Sequence, residues 1–240
     1  MSSAVVFSGG PHPLVVDLDG LRASDVSRSS LSEVNSEVAR AVGQLNPQFV
    51  VAADSGLHLA LSCGLIPDLV IGDMDSVDPA LLDQALQGGA EVRSFPTDKE
   101  ATDLELALEA LRGLSVGDLS AVTVIGSGAG RLDHLFAGVM LLASQRFADL
   151  QIDAWFGDTY LAVVRGSASV TGAPGQILSV LAVHGPAVGV RSTGLRWAFC
   201  GEDLEPGSSR GVSNEFVEAV AHLSVDQGCV AVITNPQRQS

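Results

Sequence analysis

The chain has 240 residues, 46% of them hydrophobic and 17% charged, with a formal net charge of −15. That length buries the core of one large or two modest domains, and that composition belongs to a globular protein rather than a disordered one. The acidic balance excludes non-specific nucleic-acid binding, which needs clustered Lys and Arg, and a small anionic ligand would need a local cation to reverse the sign at its site. In chain order, the opening "MSSAVVFSGGPHP" lacks the basic start and apolar stretch of a signal peptide. Short β-branched runs follow: "AVVF" (4–7), "FVVAA" (49–53), "DLVIG" (68–72) and "AVTVIG" (121–126). Between and after them lie helical patterns. "LLDQALQGG" ends in two glycines. "TDLELALEALRG" opens on a capping box, Thr102 with Glu105, and closes at Gly113, and "RLDHLFAGVMLLASQRF" is more apolar. Strands alternating with helices predict an α/β domain over residues 1–155 with a mainly parallel, Rossmann-like sheet.

Beyond residue 155 the pieces "DTYLAVVRGSASV", "QILSVLAVHG", "AVGVRSTG" and "CVAVIT" are strand-like and punctuated by Gly, Pro and Ser. They predict a smaller all-β sandwich domain over 156–240. Cys63, Cys200 and Cys229 are dispersed and make neither a disulfide framework nor a zinc site, which fits a reducing compartment. No apolar run approaches the ~18 residues of a membrane span. The expectation is a cytoplasmic chain with no membrane and no nucleic-acid partner.

Acidic residues fall where strands end, which is where ligands bind in open parallel sheets. Asp54 follows "VVAA", Asp73 and Asp75 follow "DLVI", Asp103 lies in the first turn of a helix, and Asp133 follows "VIGSGAGR". Alone, each reads as a structural or solvated group; Asp103 is favoured by the helix dipole, whereas Asp133, inside an amphipathic pattern beside Leu132 and Leu135, has no such account. Two aspartates one residue apart in extended chain point the same way, so Asp73 and Asp75 can face one ion. The donors are all oxygens, which favours Mg²⁺, with Mn²⁺ an alternative. The turn "GSGAGR", with Ser127, Gly128 and Arg131, has the glycines and guanidinium of a phosphate cradle, and a plain strand-to-helix turn explains it equally well. "FSGG" (7–10) is a second turn of that kind. Lys99 lies four residues before Asp103, placed to bridge phosphate and metal or simply to sit on the surface.

In order, "AADSGLHLALSCGLIPDLVIGDMDSV", "TDKEATDLELAL", "GSGAGRLDHLFAGVMLL" and "GLRWAFCGEDLEPGSSRGVSNEF" resemble the thiamine pyrophosphokinase family over residues 52–216. The resemblance implies transfer of the pyrophosphoryl group of ATP to the hydroxyl of thiamine, giving thiamine diphosphate and AMP. It implies a homodimer with the active site at the subunit interface. By position it implies that Asp73, Asp75 and Asp103 hold Mg²⁺ with Asp133 close by; for such a transfer one aspartate is expected to accept the hydroxyl proton, Asp75 or Asp133. It also implies that Asp54, Lys99, Ser127, Gly128 and Arg131 meet the ATP phosphates. Trp197 falls where an aromatic stacks on the thiamine pyrimidine, and Ser213 and Asn214 where that ring is hydrogen-bonded. The chain departs from the family's usual Asp-Gly-Gly-Ala-Asn at Asp54, Ser55, Gly56, Leu57 and His58, which puts contacts near Asp54 in question. Three other readings stand beside this one. They are a pyrophosphokinase for another hydroxymethyl heterocycle such as a pterin, a silent sensor of thiamine or nucleotide, and a structural α/β protein with an acidic rim.

Overall fold

The continuous apolar runs become strands β1 (Ser2–Ser8), β2 (Phe49–Ala53), β3 (Leu69–Gly72), β4 (Glu91–Ser94) and β5 (Leu119–Gly126) in a computed structural model of the chain. The structure describes residues 2–10, 42, 45–113, 119–128 and 130–235; the remaining parts of both expected domains, and Ala129 of the glycine turn, lie outside the described residues. These strands pair in parallel in the order β5-β1-β2-β3-β4. Ala4–Phe7, Val50–Ala53 and Leu69–Gly72 are buried, which is why these runs are continuously apolar rather than alternating.

The helices are α1 (Gly56–Ser62), α2 (Pro79–Gln87), α3 (Asp103–Gly113) and α4 (Leu132–Leu142), followed by a 3₁₀ turn at Gln145–Phe147. Asp78 caps α2 by accepting from the Ala80 N–H at 2.8 Å, with Pro79 at the first helical position. Thr102 Oγ1 accepts from the Glu105 N–H at 3.3 Å, as the sequence predicts for α3. The last helical pattern does not run through to Phe147. It breaks after Leu142, where the Ser144 hydroxyl accepts from the Arg146 N–H at 3.3 Å and starts the separate turn. Arg165 Nη2 donates to the carbonyls of Ala143 and Ser144 at 2.7 and 3.0 Å, the second of which also accepts from the Phe147 N–H at 3.1 Å.

The remaining strands are β6 (Gln151–Phe156), β7 (Thr159–Thr171), β8 (Ile177–Ala182), β9 (Ala187–Thr193), β10 (Cys200–Leu204), β11 (Asn214–Glu215) and β12 (Val220–Thr234). From β7 onward the pairing is antiparallel. β12 is the hub: before a register shift between Val225 and Val230 it pairs with β7 and β9, and after it with β7 and β8. Both halves feed one core that includes Val180, Val190, Phe199, Phe216, Leu223 and Val232. Each such side chain contributes about 1.5–3 kcal/mol over exposure.

The chain divides into two compact units, residues 1–132 with 155–157, and residues 133–154 with 158–240. Among the described residues no helix is long and apolar enough to cross a membrane.

Candidate active site

In the first unit, strand order reverses between β1 and β5, the kind of crevice at carboxyl strand ends where open α/β sheets take ligands. The loops leaving β1, β2 and β5 converge there. A Cβ on Gly9 would lie 2.6 Å from Ser55 Oγ, and one on Gly10 would lie 2.8 Å from Ser127 Cβ. Both turns that the sequence marks for phosphate, "FSGG" and "GSGAGR", thus face one another with exposed backbone at Gly9, Gly10 and Gly128. Arg131 is exposed at the end of the second turn.

One strand further, β2 and β3 deliver the carboxylates. Asp54, Asp73 and Asp75 place one oxygen each within 4.8 Å of one another. Asp54 and Met74 both hold left-handed backbone, at φ 49° and 65°, which costs non-glycine residues about 1–3 kcal/mol each. Their surroundings enforce it. The Asp54 N–H bonds the Ile71 carbonyl at 2.8 Å, and Met74 packs against the cluster of Ala52, Leu57, Val70 and Val77. Glycine is required at position 72, where a Cβ would sit 3.1 Å from both Asp103 Oδ1 and Asp54 Cβ. The Asp75 N–H donates to Asp73 Oδ1 at 3.2 Å, and Ser76 Oγ donates to Asp54 Oδ2.

Lys99 is the cation of this cluster. Its Nζ donates to Asp73 Oδ2 at 2.8 Å and lies 3.1 Å from Asp103 Oδ1, although no well-directed hydrogen bond reaches that second oxygen. The Lys99 hydrogen bond, helped by the Asp75 N–H, holds the Asp73 carboxyl below the usual range. Asp75 is pushed upward by the Asp73 carboxylate beside it, and Asp103 upward by burial against the opposing pull of Lys99. Burial works against the Lys99 ammonium, but its hydrogen bond to Asp73 and its ion pair with Asp103 prevail and the net shift is upward. Asp54 Oδ1 is buried with no hydrogen-bond partner. An all-oxygen donor set with one buried oxygen left unmet fits a hard divalent cation such as Mg²⁺. Among the sequence-predicted metal ligands, Asp73 and Asp75 share this cluster with Asp54, and Asp103 lies outside that trio, linked to Asp73 through Lys99.

Asp133 opens the second unit, exposed in the first turn of α4, where the helix dipole gives it the explanation that its sequence context lacked. The same unit presents Trp197, 51% exposed. Asn214 is buried and clasps it: Oδ1 accepts from the Trp197 N–H at 3.1 Å and the Glu215 N–H at 2.9 Å, and Nδ2 donates to the Trp197 carbonyl at 2.8 Å. Arg196 lies 5.6 Å from the Trp197 ring centroid and bonds Glu215 Oε2 at 2.7 Å. Ser213 is exposed, with left-handed backbone at φ 56° and its N–H on Ser179 Oγ at 3.2 Å.

Residues 44–154 match the family model described as thiamin pyrophosphokinase, catalytic domain, and residues 168–230 match that of the thiamin pyrophosphokinase vitamin B1 binding domain. The chain belongs to the thiamin pyrophosphokinase family. Thiamine pyrophosphokinase 1 of Oryza sativa subsp. japonica is 23% identical over 176 residues, a stretch covering 70% of this chain and 66% of that protein. The chain therefore spans about two thirds of the length of that relative. Among solved structures, thiamine pyrophosphokinase from Bacillus subtilis shares the fold with a TM-score of 0.73 at 18% identity, over 99% of this chain and 100% of that one. Thiamin pyrophosphokinase from Geobacillus thermodenitrificans has a TM-score of 0.68 at 25% identity, over 98% and 97%.

Within the thiamin pyrophosphokinase frame, Asp54, Asp73, Asp75, Lys99, Asp103, Ser127, Gly128, Arg131 and Asp133 fall inside the catalytic match. Trp197, Ser213 and Asn214 fall inside the B1-binding match. Two residues at the cluster are absent from the sequence-derived site: Ser76, which bonds Asp54, and His58, which accepts from the Asp78 N–H. Ser76 had a signal, since its hydroxyl follows the aspartate pair directly. His58 had only its departure from the family pattern.

Proposed function

We propose that the chain transfers the pyrophosphoryl group of ATP to thiamine, giving thiamine diphosphate and AMP. The observation that carries this reading is the carboxylate cluster around Lys99, sited at the carboxyl ends of parallel strands inside the catalytic match. The thiamine hydroxyl oxygen attacks the β-phosphorus, the bond to the α-phosphate oxygen breaks, and AMP leaves with the electron pair. Asp73 and Asp75, with Asp103 and Asp54 beside them, would hold Mg²⁺, or Mn²⁺ in its place. When bound, that ion neutralises charge developing on the phosphate oxygens. Lys99 and Arg131 add fixed positive charge, while the Ser127–Gly128 backbone and the Gly9–Gly10 turn offer N–H groups to phosphate. The hydroxyl proton goes to a carboxylate. Asp75 is favoured because its neighbour Asp73 makes it the more basic of the pair, with Asp133 the other candidate. Trp197 offers the thiamine ring its face and Ser213 a hydroxyl, and Asn214 holds the Trp197 backbone in place.

The same reading assigns residues 1–155 to a Rossmann-like nucleotide- and metal-binding domain and 156–240 to a thiamine-binding sandwich. It assigns a homodimer with the active site at the subunit interface. The free cysteines Cys63, Cys200 and Cys229 support work in the reducing cytoplasm. Purified protein with ATP, thiamine and Mg²⁺, followed by chromatography, is expected to yield AMP and thiamine diphosphate in equal amounts, and EDTA is expected to stop it. AMP formed with a pterin but not with thiamine would transfer the reading to another acceptor. Thiamine binding without AMP would make the chain a sensor.

A further inference from the structure

His58 stands on α1, four residues after Asp54, and its Nε2 accepts the backbone N–H of Asp78 at 2.9 Å. Asp78 is the N-cap of α2 and ends the loop that carries Asp73, Asp75 and Ser76. An imidazole nitrogen that accepts from a backbone N–H carries a lone pair, so the proton of the neutral ring sits on Nδ1. Two polar ties therefore span the carboxylate cluster. Ser76 Oγ donates to Asp54 Oδ2 inside it, and Asp78 N–H donates to His58 at its outer edge. Apolar contacts anchor the same loop from below, where Met74 and Val77 pack with Leu57 and Leu61 of α1. They fix its depth, while the polar ties supply direction, because dispersion contacts are non-directional. The hydrogen bond to His58 ties the far end of the loop to α1, as the Ser76 bond ties its middle to Asp54.

We propose that His58 is a positioning residue for the cation site, resting on the metal-site reading above. It touches neither metal nor substrate. It holds the Asp73–Asp78 loop at the distance from Asp54 that lets three carboxylates meet one ion. The residues supporting metal ligands commonly govern affinity by about 10–100-fold when replaced, and a tie acting through a loop backbone belongs at the lower end.

The test uses the full-length chain with neither nucleotide nor thiamine. Mn²⁺ affinity is read by electron paramagnetic resonance, and the metal-free melting temperature is recorded alongside. Three substitutions separate reach from chemistry. His58→Gln places an amide oxygen about where Nε2 sits, His58→Asn places one too short, and His58→Leu removes the acceptor. The expected result is Mn²⁺ affinity within about twofold of the unaltered protein for His58→Gln, and about tenfold weaker for His58→Asn and His58→Leu. Equal affinity in all three variants would overturn the assignment, because a residue that merely packs does not distinguish acceptor reach. If His58→Leu fails to fold, the Gln and Asn pair still decides. If the unaltered protein itself shows no Mn²⁺ affinity, the metal-site reading falls and the role of His58 with it, an outcome distinct from unaltered affinity in the variants.

Discussion

The two candidate binding regions handle their polar groups in opposite ways. At the strand ends of the first unit, Asp54 keeps a buried oxygen without a hydrogen-bond partner, and one ammonium, Lys99, is shared between Asp73 and Asp103. Around Trp197 in the second unit, the buried Asn214 is engaged through both its oxygen and its nitrogen. The first arrangement withholds compensation from charged groups, which is costly unless a ligand supplies it. The second meets the needs of its buried amide internally and turns outward an aromatic face beside the Ser213 hydroxyl. A cation site has to be left unfinished by the chain, whereas a stacking surface has to be finished and rigid. Substitutions in the first region should damage activity more than stability, and those in the second should do the reverse unless they remove the ring itself.

The largest expected effect breaks the first region. Asp73→Asn removes the carboxylate that Lys99 grips and one corner of the cluster, and should lower kcat about a hundredfold or more with the far-UV circular dichroism unchanged. Near-normal turnover in that variant would remove the cluster from the reaction. Next, Trp197→Ala removes the exposed ring without disturbing the clasp, since Asn214 bonds the backbone of residue 197. A stacking contact with the flat pyrimidine is worth about 1 kcal/mol, so KM for thiamine should rise about fivefold while KM for ATP holds steady. Equal rises in both constants would mean that Trp197 serves the fold rather than thiamine.

Asn214→Ala tests the clasp. It leaves the half-buried Trp197 N–H and carbonyl and the Glu215 N–H without this partner, at about 2 kcal/mol. For a chain of this size that lowers the melting temperature by about 4–8 °C, measurable by calorimetry. An unchanged melting temperature would return Asn214 to a direct role at the thiamine ring.

The same contrast explains what was legible in the sequence. β1, β2 and β3 are buried on both faces, so their unbroken apolar runs announce parallel strands. The aspartates at their ends are legible because strand ends are where such sheets bind ligands. α1 is not, because seven residues give too few turns for a helical period to register. β4 is an edge strand with polar Glu91, Arg93 and Ser94, and its pairing with β3 rather than its composition makes it a strand. The role of Asn214 is invisible because "SNEF" reads as a turn, and only burial shows its amide to be engaged. Lys99 lies only four residues before Asp103 in the chain, but its bond to Asp73 joins positions 26 residues apart. That contact exists only once β3 has paired with β4.

The smallest expected effect is the sharpest probe of the contrast, because its sign is opposite to that of Asn214→Ala. Asp54 shares its space with Asp73 and Asp75, and without a cation the three carboxylates repel one another. Asp54→Asn keeps shape and hydrogen-bonding capacity while deleting one charge, and its amide oxygen can still accept from Ser76. Relief of one like-charge contact near the surface is worth up to about 1 kcal/mol, a rise of about 1–3 °C in the melting temperature of the metal-free protein. Adding Mg²⁺ should then raise the melting temperature of the unaltered chain more than that of the variant, since only a state that binds the ion gains from it. The two curves, separated without metal, should converge or cross with it. A fall in stability for Asp54→Asn, comparable with that of Asn214→Ala, would mean that the carboxylates are held by the fold for its own sake, and the distinction between the two regions would fail at its foundation.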